Sequence, residues 1–174
     1  MGARLGADLP FCLCGGTMLC EGIGERLSPL PELSDCFFVI VKPEIGMSTA
    51  ESYRIYDEHE VAGLEHGDFS AMSTALEAEN IQNVGKSLYN ALECTVPDSV
   101  LKIKSALLKV GAEGALMTGS GTAVFGIFQS IEKAAAARDA LSAEYGSIFI
   151  ARPAKSAVSE DESAPVFERL HSLG

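Results

Sequence analysis

Two groupings in this 174-residue sequence could do chemistry. The first lies in Met117-Thr-Gly-Ser-Gly-Thr-Ala-Val-Phe125, where Gly119-Ser120-Gly121 joins two apolar, strand-like runs. Glycines let a backbone approach a ligand or another segment closely, and the hydroxyls of Thr118, Ser120 and Thr122 can donate to oxygens. A tight turn between strands accounts for the same residues, so both readings stand. The second is Asp8 in Gly6-Ala-Asp-Leu-Pro10. Pro10 biases the residue before it toward an extended conformation. An acid held at a strand entry acts as a general base or simply bonds local N–H groups.

Other signals exclude functions. The formal net charge of −11 repels phosphate backbones, which argues against sequence-independent nucleic-acid binding. A small anionic ligand remains open, because backbone N–H groups hold phosphate without Lys or Arg. Cys12, Cys14, Cys20, Cys36 and Cys94 form no zinc spacing. They read as reduced thiols packed as small buried hydrophobes, with no metal site. The longest apolar runs, such as Phe37–Val41, are far short of the roughly 20 residues that span a bilayer. With no signal peptide evident, the expected location is cytoplasmic. Gly85-Lys86-Ser87 lacks the upstream glycine of a phosphate-binding loop, that position being Asn80, and sits in a helical stretch.

The elements that position these residues follow from local pattern. Phe11–Leu13 and Thr17–Cys20 read as short strands joined through a Gly15-Gly16 hairpin turn. Such a hairpin is marginal alone, so residues 1–30 need a sheet to pair with. Cys36–Val41 reads as a buried strand stopped by Pro43. Ser48-Thr-Ala-Glu51 is a capping box that starts a helix near residue 49, with Tyr53 and Tyr56 near one face. Val61–Ser70 is expected to loop out, and a helix to span about 79–92. Asp98 is expected to cap a helix striped by Val100, Ile103, Leu107 and Val110 and ended by Gly111. Strands follow at Ala115–Thr118 and Thr122–Phe128, then a helix over Ile131–Tyr145 backed by Gly146, then a strand at Ser147–Ala151. This order predicts an α+β fold, a ferredoxin-like antiparallel sheet with helices packed on one face.

Taken together, the motifs carry a resemblance. Gly6-Ala-Asp-Leu-Pro-Phe11, Gly15-Gly16-Thr17 and Gly22-Ile-Gly-Glu25 are similar to a stretch of the kinases that phosphorylate 4-diphosphocytidyl-2-C-methyl-D-erythritol, in the GHMP kinase superfamily. The likeness continues through Val41-Lys-Pro43, Ser48–Tyr53, Asn90-Ala-Leu-Glu93 and Gly114–Phe125, and ends at Ala151-Arg-Pro-Ala-Lys155. It implies three parts: residues 1–34 as a remnant of the N-terminal kinase domain with a hairpin, 35–157 as the C-terminal domain, and 158–174 as an acidic tail. It also implies transfer of the ATP γ-phosphoryl group, with Mg2+ as counter-ion, to a hydroxyl of the methylerythritol part in non-mevalonate isoprenoid synthesis. Asp8 falls on the family's catalytic aspartate. Gly119, Ser120 and Gly121 fall on a motif lining the cleft near substrate and phosphates, and Thr49 on a substrate-contacting position. An aromatic at Tyr53 could stack on the cytosine ring, unless it faces the helix core instead.

The sequence departs from the family in two ways. No Pro-x-x-x-Gly-Leu-Gly-Ser-Ser-like run occurs in it, nor an early lysine to pair with the catalytic aspartate. The chain therefore reads as the C-terminal part of such a kinase, with negligible activity alone and a hairpin that is mobile, misplaced or paired with another molecule, which makes self-association possible. Two alternatives remain: a non-catalytic ferredoxin-like module that binds a small ligand or another chain, and a GHMP kinase for homoserine, mevalonate or galactose. Asp8 and the Gly15-Gly16 pair argue against the first. Ser48–Tyr53 and Ala151–Lys155 argue against the second.

Overall fold

The computed structural model describes residues 9–58 and 67–154. They divide into two compact units, one taking the chain up to Glu32 and the other spanning Leu33–Pro153.

In the first unit, Leu9–Cys14 is a short helix, α1, where a strand is expected at Phe11–Leu13. A run this short carries too little periodicity to separate helix from strand. Gly15 and Gly16 both take positive φ, 66° and 72°, and the Gly15 amide donates to the Phe11 carbonyl at 2.8 Å. The pair closes a helix end and does not turn a hairpin. The hairpin lies downstream. Strand β1 (Met18–Glu21) pairs antiparallel with β2 (Arg26–Pro29), Met18 facing Pro29 and Glu21 facing Arg26. Gly22-Ile-Gly-Glu25 makes the reversal, with φ of 71° at Gly22 and 98° at Gly24.

The second unit is built on β3 (Phe37–Val41). It pairs antiparallel with β5 (Val124–Phe128) on one side and β6 (Ile148–Ala151) on the other, and β4 (Gly114–Met117) adds outside β5. The order β4-β5-β3-β6 is that of a ferredoxin-like sheet, with helical crossovers from β3 to β4 and from β5 to β6. Val39 and Val41 alternate inward on β3 and reach full burial. Helix α5 (Asp98–Lys109) turns Val100, Ile103 and Leu107 onto that face, and α6 (Ile131–Leu141) adds Ala134, Ala137 and Leu141. Gly126 on β5 lets α5 settle: a Cβ there would lie 3.2 Å from Leu107 Cδ2. Past β6, the Arg152 guanidinium stacks over the Phe37 ring at 4.5 Å.

The connection from β3 to β4 departs from expectation. Helix α2 spans Thr49–Glu58. Ser70 lies inside helix α3 (Phe69–Glu77), not in a loop, while residues 61–66 of the expected loop fall outside the described residues. The helix expected over 79–92 is broken into α4 (Ile81–Lys86) and a 3-10 turn, Ala91–Thr95. Asx caps punctuate the chain here. Asp68 accepts from the Ala71 amide, Asn80 from Asn83 and Asn90 from Leu92. Helix α4 meets the sheet at its edge through two glycines: a Cβ at Gly114 would lie 2.4 Å from Gly85 Cα, and one at Gly85 would lie 2.4 Å from the Glu113 carbonyl oxygen. That contact is why Gly85 is a glycine.

Three helix-end expectations are corrected. Asp98 is the first residue of α5, not its cap; Pro97 holds the cap position without a side-chain hydrogen bond. Asp98 instead places an acid in the first turn, where the helix dipole favours it. Gly111, at φ 98°, follows the capping residue Val110. Helix α6 ends at Leu141 and not at Tyr145. The cysteines are corrected as well. Cys36 is buried, but Cys12, Cys14, Cys20 and Cys94 are exposed. The tail over 158–174 lies outside the described residues.

Candidate functional site

Strands β4 and β5 are joined by the Thr118–Ala123 segment, closed by hydrogen bonds from Thr118 N to Ala123 O at 2.9 Å and from Gly121 N to Thr118 O at 3.1 Å. Gly119 and Gly121 take φ of 58° and 93°, values an L side chain adopts only with strain. The Gly121–Thr122 peptide is cis. This chain reversal is also the place where distant segments converge.

From α2 come Thr49 and Ser52. Thr49 Oγ1 and Ser120 Oγ lie 2.8 Å apart across 71 positions of sequence. The fully buried Ser52 hydroxyl donates to the Ser120 carbonyl at 3.0 Å. Helix α2 starts at this point because Ser48 Oγ accepts the Glu51 amide at 3.1 Å. Only half of the expected capping box forms, since the Glu51 carboxylate pairs with Arg54 one turn on, at 2.5 Å, and Arg54 also binds Glu58. Hydrogen bonding from Arg54 holds the Glu51 carboxyl below its ordinary pKa. Tyr53 projects to solvent, 54% exposed, while Tyr56 packs on the core.

From the segment after β3 comes Lys42. Its ammonium donates to Thr122 Oγ1 at 2.9 Å and to the carbonyls of Pro43 and Ile45 at 3.0 and 3.1 Å. Thr122, 1% exposed, passes a hydrogen bond on to the Ile45 carbonyl at 2.6 Å. All three oxygens around Lys42 are neutral, and no described carboxylate pairs with it. The Lys42 charge thus stands beside the glycine turn without a carboxylate partner among the described residues.

From the segment before the 3-10 turn comes Asn90. Its amide nitrogen donates to the carbonyls of Met117 and Gly119, both at 2.9 Å. Glu93, on the turn itself, accepts the Met117 amide at 2.9 Å and pairs with Lys104 at 2.5 Å.

The structure thus brings together Thr49, Gly119, Ser120 and Gly121, and sets Tyr53 one turn along the same helix. Asp8 lies outside the described residues. Among the described residues, no group of three or more His, Cys, Asp or Glu converges to hold a metal ion. Sequence reasoning gave no role to Lys42, Ser52, Asn90 or Glu93. The Asn90-x-x-Glu93 spacing is itself a capping signal, but nothing local says that both side chains also reach a strand more than 20 residues away.

Residues 64–147 match the model of the GHMP kinases C terminal family. That stretch is a GHMP kinase C-terminal domain. A relative from Clostridium botulinum (strain Eklund 17B / Type B), named 4-diphosphocytidyl-2-C-methyl-D-erythritol kinase, is 37% identical over 155 residues, 87% of this chain and 55% of that protein. One of the same name from Carboxydothermus hydrogenoformans is 41% identical over 137 residues, 77% of this chain and 47% of that protein. A solved 4-(cytidine 5'-diphospho)-2C-methyl-D-erythritol kinase superposes with a TM-score of 0.69 at 28% identity, over 85% of this chain and 53% of that one. A homoserine kinase from Cytophaga hutchinsonii, at TM-score 0.70 and 19% identity over 86% of this chain and 52% of that one, shares the fold. The chain spans about half the length of the curated relatives it matches.

Proposed function

We propose that this chain supplies the acceptor-substrate face of a cytoplasmic kinase that phosphorylates a hydroxyl of 4-diphosphocytidyl-2-C-methyl-D-erythritol in non-mevalonate isoprenoid synthesis. The observation that carries the reading is the junction of Thr49 with Ser120 at 2.8 Å. It joins the helix start and the glycine turn into one polar surface, with the Lys42 charge beside it. In this reading the turn and Lys42 receive the substrate's diphosphate, since positive charge and backbone N–H groups favour anions. Thr49 and Ser120 hydroxyls orient the substrate's oxygens, and the exposed Tyr53 ring stacks on cytosine. Asp8 accepts the proton of the attacking hydroxyl.

ATP would supply the phosphoryl group, with Mg2+ as its counter-ion. The residues present do not fit ATP. No glycine- and serine-rich phosphate loop occurs among the 174 residues, and the described residues form no acidic cluster for the metal. Positioning both reactants contributes about 7–11 kcal/mol to such reactions, more than the roughly 10²–10⁴-fold supplied by a base. The purified chain is therefore expected to show negligible turnover with ATP and the diphosphocytidyl substrate, and a family-like rate would overturn this.

Substrate class is tested by thermal shift with cytidine, uridine and adenosine diphosphates. A ligand at 100 times its Kd adds about 2.7 kcal/mol of stability. Cytidine diphosphate should raise the melting temperature at lower concentration than the other two, and equal responses would remove the cytidine assignment.

A further inference from the structure

Four consecutive carbonyls of the glycine turn accept hydrogen bonds from the protein. Met117 O and Gly119 O take the Asn90 amide nitrogen at 2.9 Å each. Thr118 O takes the Gly121 amide at 3.1 Å, and Ser120 O takes the Ser52 hydroxyl at 3.0 Å. The Gly119 and Ser120 amides, in contrast, have no acceptor among the described residues. We propose that Asn90 and Ser52 are positioning residues that fix the polarity of this turn, so that it offers N–H donors to an anionic, phosphate-bearing ligand. The proposal deepens the substrate reading above and rests on it for the ligand's class.

The physical need is clear. Glycine peptides reorient at little cost. A flip of the Gly119–Ser120 peptide would turn a carbonyl outward and convert a donor surface into an acceptor one. Asn90, by holding the Gly119 carbonyl, opposes that flip directly, and Ser52, by holding the Ser120 carbonyl, fixes the adjoining Ser120–Gly121 peptide plane, so the dipoles are preset before the ligand arrives. Asn90 suits the task by chemistry. Its two N–H bonds serve the two carbonyls, while its Oδ1 accepts the Leu92 amide at 2.9 Å, so the whole amide is used. Aspartate would set an oxygen against two carbonyl oxygens.

The test titrates inorganic pyrophosphate into the wild-type chain, Asn90→Asp and Ser52→Ala, reading affinity by calorimetry and the turn amides by nitrogen-15 NMR. In the wild type the Gly119 and Ser120 amide resonances should move as pyrophosphate is added. Each variant, folded by circular dichroism, should bind about tenfold or more weakly, the loss expected for misaligned bonds to a charged group. It should also show altered Gly119 and Ser120 shifts before any ligand is added, which a loss of general stability would not produce. Folded variants that keep wild-type affinity, or wild-type amides that stay still, would overturn the proposal. If Asn90→Asp does not fold, Ser52→Ala, which removes one hydroxyl, decides. Pyrophosphate carries no cytidine, so this result stands apart from the cytidine-diphosphate preference.

Discussion

A Cβ at Gly121 would sit 2.7 Å from the sulfur of buried Met117, whereas one at Gly119 would meet nothing within 4 Å. Both residues hold positive φ, so alanine at either costs about 1–2 kcal/mol in backbone strain alone. Gly121→Ala is expected to destabilise more than Gly119→Ala, since Met117 must also move; urea denaturation of the two variants measures the difference, and equal losses would contradict the contact. Cys36 offers a second residue-level test. Burial, with the Asp35 charge adding to it, raises its thiol pKa from the usual 9.0 to about 11. Below about pH 9 the thiol is neutral in both states and contributes no pH dependence. Between about 9 and 11 the unfolded chain releases the proton while the folded one keeps it, so stability should fall as pH rises. Urea midpoints at about pH 8 and about pH 10 should differ less in Cys36→Ala than in the wild type. The glycine turn was legible at this scale, because its type and spacing are local signals. The Asn90, Glu93 and Ser52 contacts were not, because each is a long-range hydrogen bond whose residue reads locally as a cap or a helix position.

Among the elements, the join between α4 and β4 is the most exacting. Gly85 and Gly114 touch backbone to backbone, and overpacking a close contact typically costs about 1–3 kcal/mol. Gly85→Ala should lower the urea midpoint, whereas Gly46→Ala, where a Cβ would meet nothing within 4 Å, should leave it nearly unchanged. A neutral Gly85→Ala would mean that α4 shifts freely. Strands β3 to β6 were readable as short apolar runs, β4 and β5 being buried along almost their whole length, and helix α5 from the stripe of Val100, Ile103 and Leu107 that it turns to the core. Helix α3 was not read, its start at Phe69 falling in the expected loop over 61–70, and α4 was merged with the 3-10 turn into one helix over 79–92. The caps Asp68, Asn80 and Asn90 that divide this region sit in a stretch without strong periodicity. Helix α1 was misread because six residues give neither period a full test.

At the scale of the molecule, the two units differ in support. The second has a continuous core beneath four strands, while the β1–β2 hairpin is two-stranded, and such a hairpin is marginal alone. Amide exchange in a dilute sample should therefore be fast across β1 and β2 and slow across β3 and β5, and equal protection would argue against an orphan hairpin. The ferredoxin-like order was legible because the split crossover pattern admits few topologies. In the function proposed above, the face made by α2 and the glycine turn receives a cytidine diphosphate group. A crystal structure of the chain with cytidine diphosphate tests it most directly. The base should lie beside Tyr53 and the diphosphate on Gly119–Gly121 within reach of Thr49. Density instead in the roughly 500 Å³ groove between α3 and α4, lined by Asp68, Thr74, Asn83 and Lys86, would contradict it.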